Sequence, residues 1–289
     1  MNRWVLGARP RTLPAAAVPV LVGTACAAGE TDGGIVWWRA VAAMVAALAI
    51  QVGTNYVNDY ADGERGTDDR RAGPVRLVAG GLATARQVKL AALAAAVVAA
   101  IAGLSLVVAV GPELLVVGLA SFAAGFLYTG GPRPYGYAGL GEVFVFLFFG
   151  VVATVGSNYV QTEEIRGLAI GASIPVGFLA TALLVVNNLR DIPTDAVSGK
   201  HTLAVRMGEG PTRVLYVALL AASFAVLPLL ALRRGWALLA FLALPLAAAP
   251  MRRIAGGAVG HALVPVLGDT GRLQLVYGVL LTIGLAVSV

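Results

Sequence analysis

Cysteine, charge and long polar stretches are what this sequence lacks. Cys26 is the only cysteine among 289 residues, which excludes a disulfide within the chain and a cysteine-rich metal site. Cys26 is expected to pack as a small hydrophobe. Charged residues make up 12% of the chain, about half the share usual in a soluble domain. No polar stretch is long enough to fold alone, so residues 1–289 are expected to form one transmembrane domain. The only histidines, His201 and His261, are read as structural or solvated.

What is present is apolar. Hydrophobic residues make up 58% of the sequence, and the mean hydropathy is +0.83. Apolar blocks of about 20 residues recur, each long enough for a ~30 Å hydrocarbon core. The expectation is an all-α polytopic membrane protein with nine spans. They fall near 13–29, 36–57, 88–110, 113–130, 139–159, 166–188, 211–232, 235–251 and 271–289. The first block is expected to be an ordinary first helix rather than a cleaved signal. "GETDGG", "TGGPRP" and "TEEIRG" mark turns between spans.

Of the 21 lysines and arginines, only Arg39, Arg166, Arg233 and Arg234 fall after odd-numbered spans. Such a bias places the N-terminus and the even-numbered span ends on the cytoplasmic side of the cell membrane. The same rule accounts for the net charge of +6, so no nucleic-acid partner is expected.

Topology does not account for the aspartates. "NYVNDYADGERGTDDRR", from residue 55, ends the second span, and "NNLRDIPTDAVSGKHTLAVRMG", from residue 187, ends the sixth. Asn55 and Asp59 are four apart, as are Asn58 and Asp62, and Asn187, Asp191 and Asp195. Residues four apart share a helix face, so each span finishes in a stripe of amide and carboxylate oxygens. Pro193 is expected to interrupt the second stripe and leave Asp195 on a turn. Reading spans 1–4 and 5–8 as two halves, with a ninth span added, sets the two clusters facing each other across a central cavity.

Carboxylates at a membrane edge are functional by default. Oxygen ligands without histidine or cysteine select a hard cation, Mg²⁺ above all, which keeps positions for water and substrate phosphates. Two or three such ions would bridge a diphosphate between the clusters. Arg65, Arg70, Arg71, Arg190 and Lys200 are interleaved to meet the remaining phosphate charge. Phe144, Phe146, Phe148 and Phe149 offer a wall for an apolar tail, and Trp4, Trp37, Trp38 and Trp236 fall at span edges.

"NDYADGERGTD" and "NNLRDIPTDAVSGKHTLAVRMG" closely resemble the two aspartate-rich motifs of the UbiA superfamily of intramembrane prenyltransferases. "ARPRTLPAA", "GGLATARQVK" and "YTGGPRPYGYAGLGEVFVFLFFG" extend the resemblance over nearly the whole chain and toward its MenA branch. The resemblance implies nine transmembrane helices around a central cavity and an Mg²⁺-dependent reaction. A polyprenyl group passes from its diphosphate to 1,4-dihydroxy-2-naphthoate, with loss of CO₂, in menaquinone synthesis. It implies that Asn58, Asp62, Asp68, Asp191 and Asp195 hold metal, with Asp59, Asp62, Asp191, Asp195 and Lys200 as the catalytic set. Asp59 and Asp68 support the core, and either is a candidate base for the acceptor phenol. Diphosphate contacts fall to Arg65, Arg190, Lys200, Tyr128 and Arg133, although "TGGPRP" departs from the pattern of the benzoate-prenylating branch. Arg9, Arg11 and Asn187 are the acceptor-side residues. Partners are the isoprenoid diphosphate, the dihydroxynaphthoate and membrane lipids. Two rivals remain: a sibling enzyme with another aromatic acceptor, and a secondary transporter, whose polar site would lie toward the bilayer midplane.

Overall fold

The computed structural model describes residues 2–31, 33–65 and 75–289. Asp68, Asp69, Arg70 and Arg71 therefore lie outside the described residues. All regular structure among the described residues is helical. A short helix α1 (Arg3–Ala8) precedes α2 (Pro14–Cys26), α3 (Trp37–Glu64), α4 (Ala85–Ala109) and α5 (Glu113–Leu127). Then come α6 (Gly141–Thr162), α7 (Gly167–Val197), a short α8 (Leu203–Met207), α9 (Glu209–Ala231), α10 (Gly235–Ala255) and α11 (Gly260–Val287).

Seven of these, α3, α4, α6, α7, α9, α10 and α11, are long and apolar enough to cross a membrane, while α2 and α5 are shorter apolar helices. Their outer faces expose large aliphatic side chains such as Val41, Ile101, Val108 and Leu119, as a helix in lipid must. Trp37, Trp38 and Trp236 are exposed at helix ends. Trp4 is instead packed edge-on against Tyr56, with ring centroids 6.1 Å apart.

Helices α3 and α7 run beyond the spans expected from hydropathy. At 28 and 31 residues they measure about 42 and 46 Å against a ~30 Å hydrocarbon core. Their last turns therefore carry polar residues past the apolar layer. Pro193 does not interrupt α7, which continues to Val197. The Thr194 hydroxyl donates to the Asp191 carbonyl at 3.0 Å, and the Ser198 amide to the Thr194 carbonyl at 3.1 Å. Bonding thus resumes on the far side of the proline, and Asp195 stays in the same helix as Asp191.

The main core joins α2, α7, α9, α10 and α11, with Cys26 fully buried in it. Close backbone approach is set by small residues, as is usual between membrane helices. Gly150 of α6 crosses Gly177 of α7 so tightly that a Cβ on Gly150 would sit 2.6 Å from the Gly177 Cα. Within α6, residues Phe146–Val152 form a π-helical turn, a feature often found at functional sites. The turn separates the phenylalanines. Phe144, Phe148 and Phe149 line a cavity, while Phe146 packs on Phe178 with ring centroids 5.5 Å apart.

Candidate functional site

A cavity of about 510 Å³ lies among α2, α3, α4, α5, α6 and α7. One end is polar, where α3 and α7 finish, and the walls beyond it are apolar or small.

The four-residue spacing at the end of α3 produces two columns, and the structure gives them different work. In the first, Gln51 and Asn55 reach the N-terminal segment. The Asn55 amide donates to the Ala8 carbonyl at 2.9 Å and to the Thr12 hydroxyl at 3.2 Å, and Gln51 donates to the same hydroxyl at 3.2 Å. Asp59, in the same column, accepts the backbone N–H groups of Leu77 and Val78, each at 3.0 Å. This column fastens the segment before α2 and the loop before α4 onto α3. In the second column Asn58 accepts the Thr129 hydroxyl at 2.6 Å. Asp62 accepts the Tyr137 hydroxyl at 2.8 Å and lies 3.7 Å from the Lys200 ammonium.

Near the end of α7 a charged pair forms between neighbours in sequence. Arg190 grips its neighbour Asp191 through Nε at 2.7 Å and Nη2 at 2.8 Å, and its Nη2 also donates to Asn187 Oδ1 at 2.8 Å. Asp191 and Arg190 are 3% and 4% exposed, so the charges are paired out of water, where an unpaired one would be costly. After α7, Gly199 adopts a left-handed φ of +73°, the usual glycine exit from a helix. Its successor Lys200 donates its amide to the Asp195 carbonyl at 2.9 Å while its ammonium reaches Asp62. Lys200 thus joins the two clusters.

Tyr137 completes that junction. Its ring lies 5.3 Å from the Arg65 guanidinium and 5.1 Å from the Lys200 ammonium, within cation–π range of both, and its hydroxyl holds Asp62. Arg65 in turn donates to the carbonyls of Thr129 and Gly131, the latter at 2.7 Å, so it anchors the loop between α5 and α6. In that loop Tyr135 donates to the Ala124 carbonyl at 2.8 Å and stacks on Phe144 with centroids 4.0 Å apart. Burial pushes the Tyr135 hydroxyl above its ordinary value, so it remains a donor.

The residues expected from sequence divide accordingly. Asn58, Asp59, Asp62, Asn187, Arg190 and Lys200 line the cavity, as do Tyr128, Arg9 and Arg11. Asp191 and Asp195 are buried beside it rather than among its lining residues. Arg65 is turned to backbone carbonyls, and Arg133 is exposed on the loop away from the cavity. Arg9 donates to the Asn55 carbonyl at 3.3 Å. Sequence reasoning missed Tyr137, Thr129, Thr12 and the buried, cavity-lining Arg76. The signal for Tyr137 is its place in "YTGGPRPYGY", a loop between spans rich in tyrosine.

Among the described residues no three acidic, histidine or cysteine side chains converge as a ready-made metal cage. The donors present are amide and carboxylate oxygens, from Asn58 and Asp62 on one helix and Asp191 and Asp195 on the other. That set suits a hard cation which takes one or two protein carboxylates and completes its shell with water and substrate phosphate.

Residues 16–257 match the family model described as UbiA prenyltransferase family. The chain is similar to a 1,4-dihydroxy-2-naphthoate octaprenyltransferase of Mycobacterium leprae, 46% identical over 277 residues, covering 96% of this chain and 94% of that protein. It is 35% identical over 302 residues to the protein of the same name in Escherichia coli, covering 99% and 95%. Among solved structures, a UbiA homologue from Archaeoglobus fulgidus bound to GPP and Mg²⁺ has the same fold, with a TM-score of 0.68 at 16% identity. The alignment covers 97% of this chain and 99% of that one.

Proposed function

As the chain belongs to the UbiA prenyltransferase family, we propose that it transfers a polyprenyl group from its diphosphate to 1,4-dihydroxy-2-naphthoate, with loss of diphosphate and CO₂, giving demethylmenaquinol for menaquinone synthesis. One observation carries the reading: a single cavity has Asn58, Asp62, Arg190 and Lys200 at one end and apolar walls beyond. A molecule with a charged head and a long apolar tail fits that division, and a prenyl diphosphate has both.

Asn58, Asp62, Asp191 and Asp195, with Asp68 from outside the described residues, would hold Mg²⁺. When bound, that ion supplies charge neutralisation to the leaving diphosphate. Arg190 and Lys200, both cavity-lining, offer donors to the departing phosphate oxygens, where charge grows as the allylic bond breaks. Asp59 acts as a positioning residue, because its oxygens hold the Leu77 and Val78 amides. Tyr137 keeps Asp62 and Lys200 oriented. Tyr128, Phe144 and Phe148 shield the allylic cation from water. The naphthoate enters beside Asn187 and the arginines Arg9, Arg11 and Arg76, whose cations suit its carboxylate, and its electron-rich ring attacks the allylic carbon.

On this reading residues 1–289 form a single domain of nine spans, as two four-helix halves, α2 to α5 and then α6, α7, α9 and α10, with α11 added; seven long apolar helices and the shorter apolar α2 and α5 support it. The arginine bias supports a cell-membrane protein with its N-terminus and this site on the cytoplasmic side, in contact with membrane lipids. The test is an assay of lipid-supplied protein with a polyprenyl diphosphate and the naphthoate, following CO₂ and prenylated quinol with Mg²⁺ and with EDTA. Product only with Mg²⁺ is expected. Product only with another aromatic acceptor would move the enzyme to a sibling branch, and no product with any acceptor would overturn the reading.

A further inference from the structure

The apolar part of the cavity is built from two kinds of wall. Near the polar end it is aromatic, with Tyr128, Phe144 and Phe148. Farther along, the lining passes to Ala43 and Ala47 of α3, Gly103 of α4, Gly118 of α5 and Gly156 of α6. From Asp62 to Ala43 the cavity follows α3 for about 28 Å at the helical rise.

That far end has a floor. Arg39 of α3 donates to the carbonyls of Val160 in α6 (3.0 Å) and Ala109 in α4 (3.2 Å), and Tyr159 of α6 donates to Glu113 of α5 at 2.6 Å. These bonds tie four helices together at one level. Gly103, Gly118 and Gly156 each lie only a few residues inward of the tie, so they share a level just within it.

Glycine in a membrane helix ordinarily admits a neighbouring backbone, as Gly150 and Gly177 do here. These three do not. A Cβ at Gly103, Gly118 or Gly156 would meet nothing within 4 Å, and none of them has the positive φ that requires glycine. Each costs its helix stability without relieving a contact. What they share is the cavity they leave wide.

We propose that Gly103, Gly118 and Gly156 hold open the distal chamber that receives the far end of the isoprenoid tail, and so set the longest tail that the protein binds tightly. The proposal rests on the reading of the cavity as a prenyl diphosphate site. It goes further in assigning tail-length selection to three glycines on three helices.

The test uses the full chain in lipid nanodiscs with Mg²⁺, as wild type, Gly103→Leu, Gly118→Leu, Gly156→Leu and the triple variant. Equilibrium binding of geranyl diphosphate and of octaprenyl diphosphate is measured for each. Affinity for the short donor should stay within about twofold, while the triple variant loses about tenfold or more for the long one, the scale of a few buried methylenes. The single variants should fall between. Equal weakening of both donors, or undiminished binding of the long donor to the triple variant, overturns the proposal. Turnover with the naphthoate is followed in parallel. Wild type that binds both donors but makes no product overturns the acceptor assignment, and the donor ratio then decides the role of the glycines. Wild type that binds neither donor overturns both.

Discussion

Helices α3 and α7 both finish in amides and carboxylates four residues apart, yet their charges are met in opposite ways. Asp59 and Asp62 of α3 are held by groups distant in sequence: the Leu77 and Val78 amides, the Tyr137 hydroxyl and the Lys200 ammonium. Asp191 of α7 is gripped by Arg190, the residue before it. The Arg190–Asp191 pair therefore forms within one turn of α7, without a residue from another helix. The α3 end is assembled only when two loops fold over it. The Arg190–Asp191 pair is local and the partners of Asp59 and Asp62 depend on tertiary structure, so loss of a partner should act on stability in α7 and on site geometry in α3.

The largest effect that would break this comparison is on turnover. Asp62→Ala and Asp191→Ala should each lower kcat/KM by about a thousandfold with the protein still inserted, and Asp191→Ala should also lower the melting transition because it removes the carboxylate paired with buried Arg190. Full activity in Asp191→Ala would leave that carboxylate as no more than the counter-ion of Arg190. Next is stability. Arg190→Leu removes the cation that grips a buried carboxylate and should cost about 3–5 kcal/mol. Lys200→Leu, whose ion pair with Asp62 is looser at 3.7 Å, should cost less than Arg190→Leu, since Asp62 keeps the Tyr137 hydroxyl, while weakening prenyl diphosphate binding. Equal melting shifts in the two variants would erase the distinction between a local pair and an assembled end.

Smaller effects sharpen the split within α3. Hydrogen bonds to a charged group contribute about 1.5–3 kcal/mol, so Asp59→Ala should lower exchange protection of the Leu77 and Val78 amides by about tenfold or more. Its prenyl diphosphate affinity should fall less than that of Asp62→Ala. If protection is unchanged, Asp59 is not what holds the loop. Smallest is Tyr137→Phe, which keeps the ring between Arg65 and Lys200 and loses only the bond to Asp62. A few-fold rise in the KM for prenyl diphosphate, about 1 kcal/mol, is expected, and an unchanged KM would remove Tyr137 from the site.

Much of the site is legible in residue types and spacing. The paired stripes ending at Asp62 and Asp195 come from a helical period of about 3.6 residues, and the oxygen-only donor set follows from the scarcity of cysteine and histidine. Spacing is blind to the difference between Asp59 and Asp62. It fixes which face of α3 each occupies, while the amides and hydroxyl that meet them belong to residues 77, 78 and 137. Arg65 is a like case: spacing shows its charge but not that its two terminal nitrogens meet the carbonyls of Thr129 and Gly131. Pro193 is a weaker breaker than its residue type suggests, since it removes a single N–H and α7 continues beyond it to Val197.

By itself the sequence determined that this chain is helical, apolar enough for lipid, biased in its arginines, and marked by two aspartate stripes. These are local properties, set by composition and period, and they hold whatever packs alongside. Tertiary structure alone decided which carboxylate fastens a loop and which meets Lys200, and where the cavity widens. Those outcomes depend on contacts between residues far apart in the chain. The same glycine reads identically in sequence whether another helix presses on it, as at Gly150, or open space lies above it, as at Gly156.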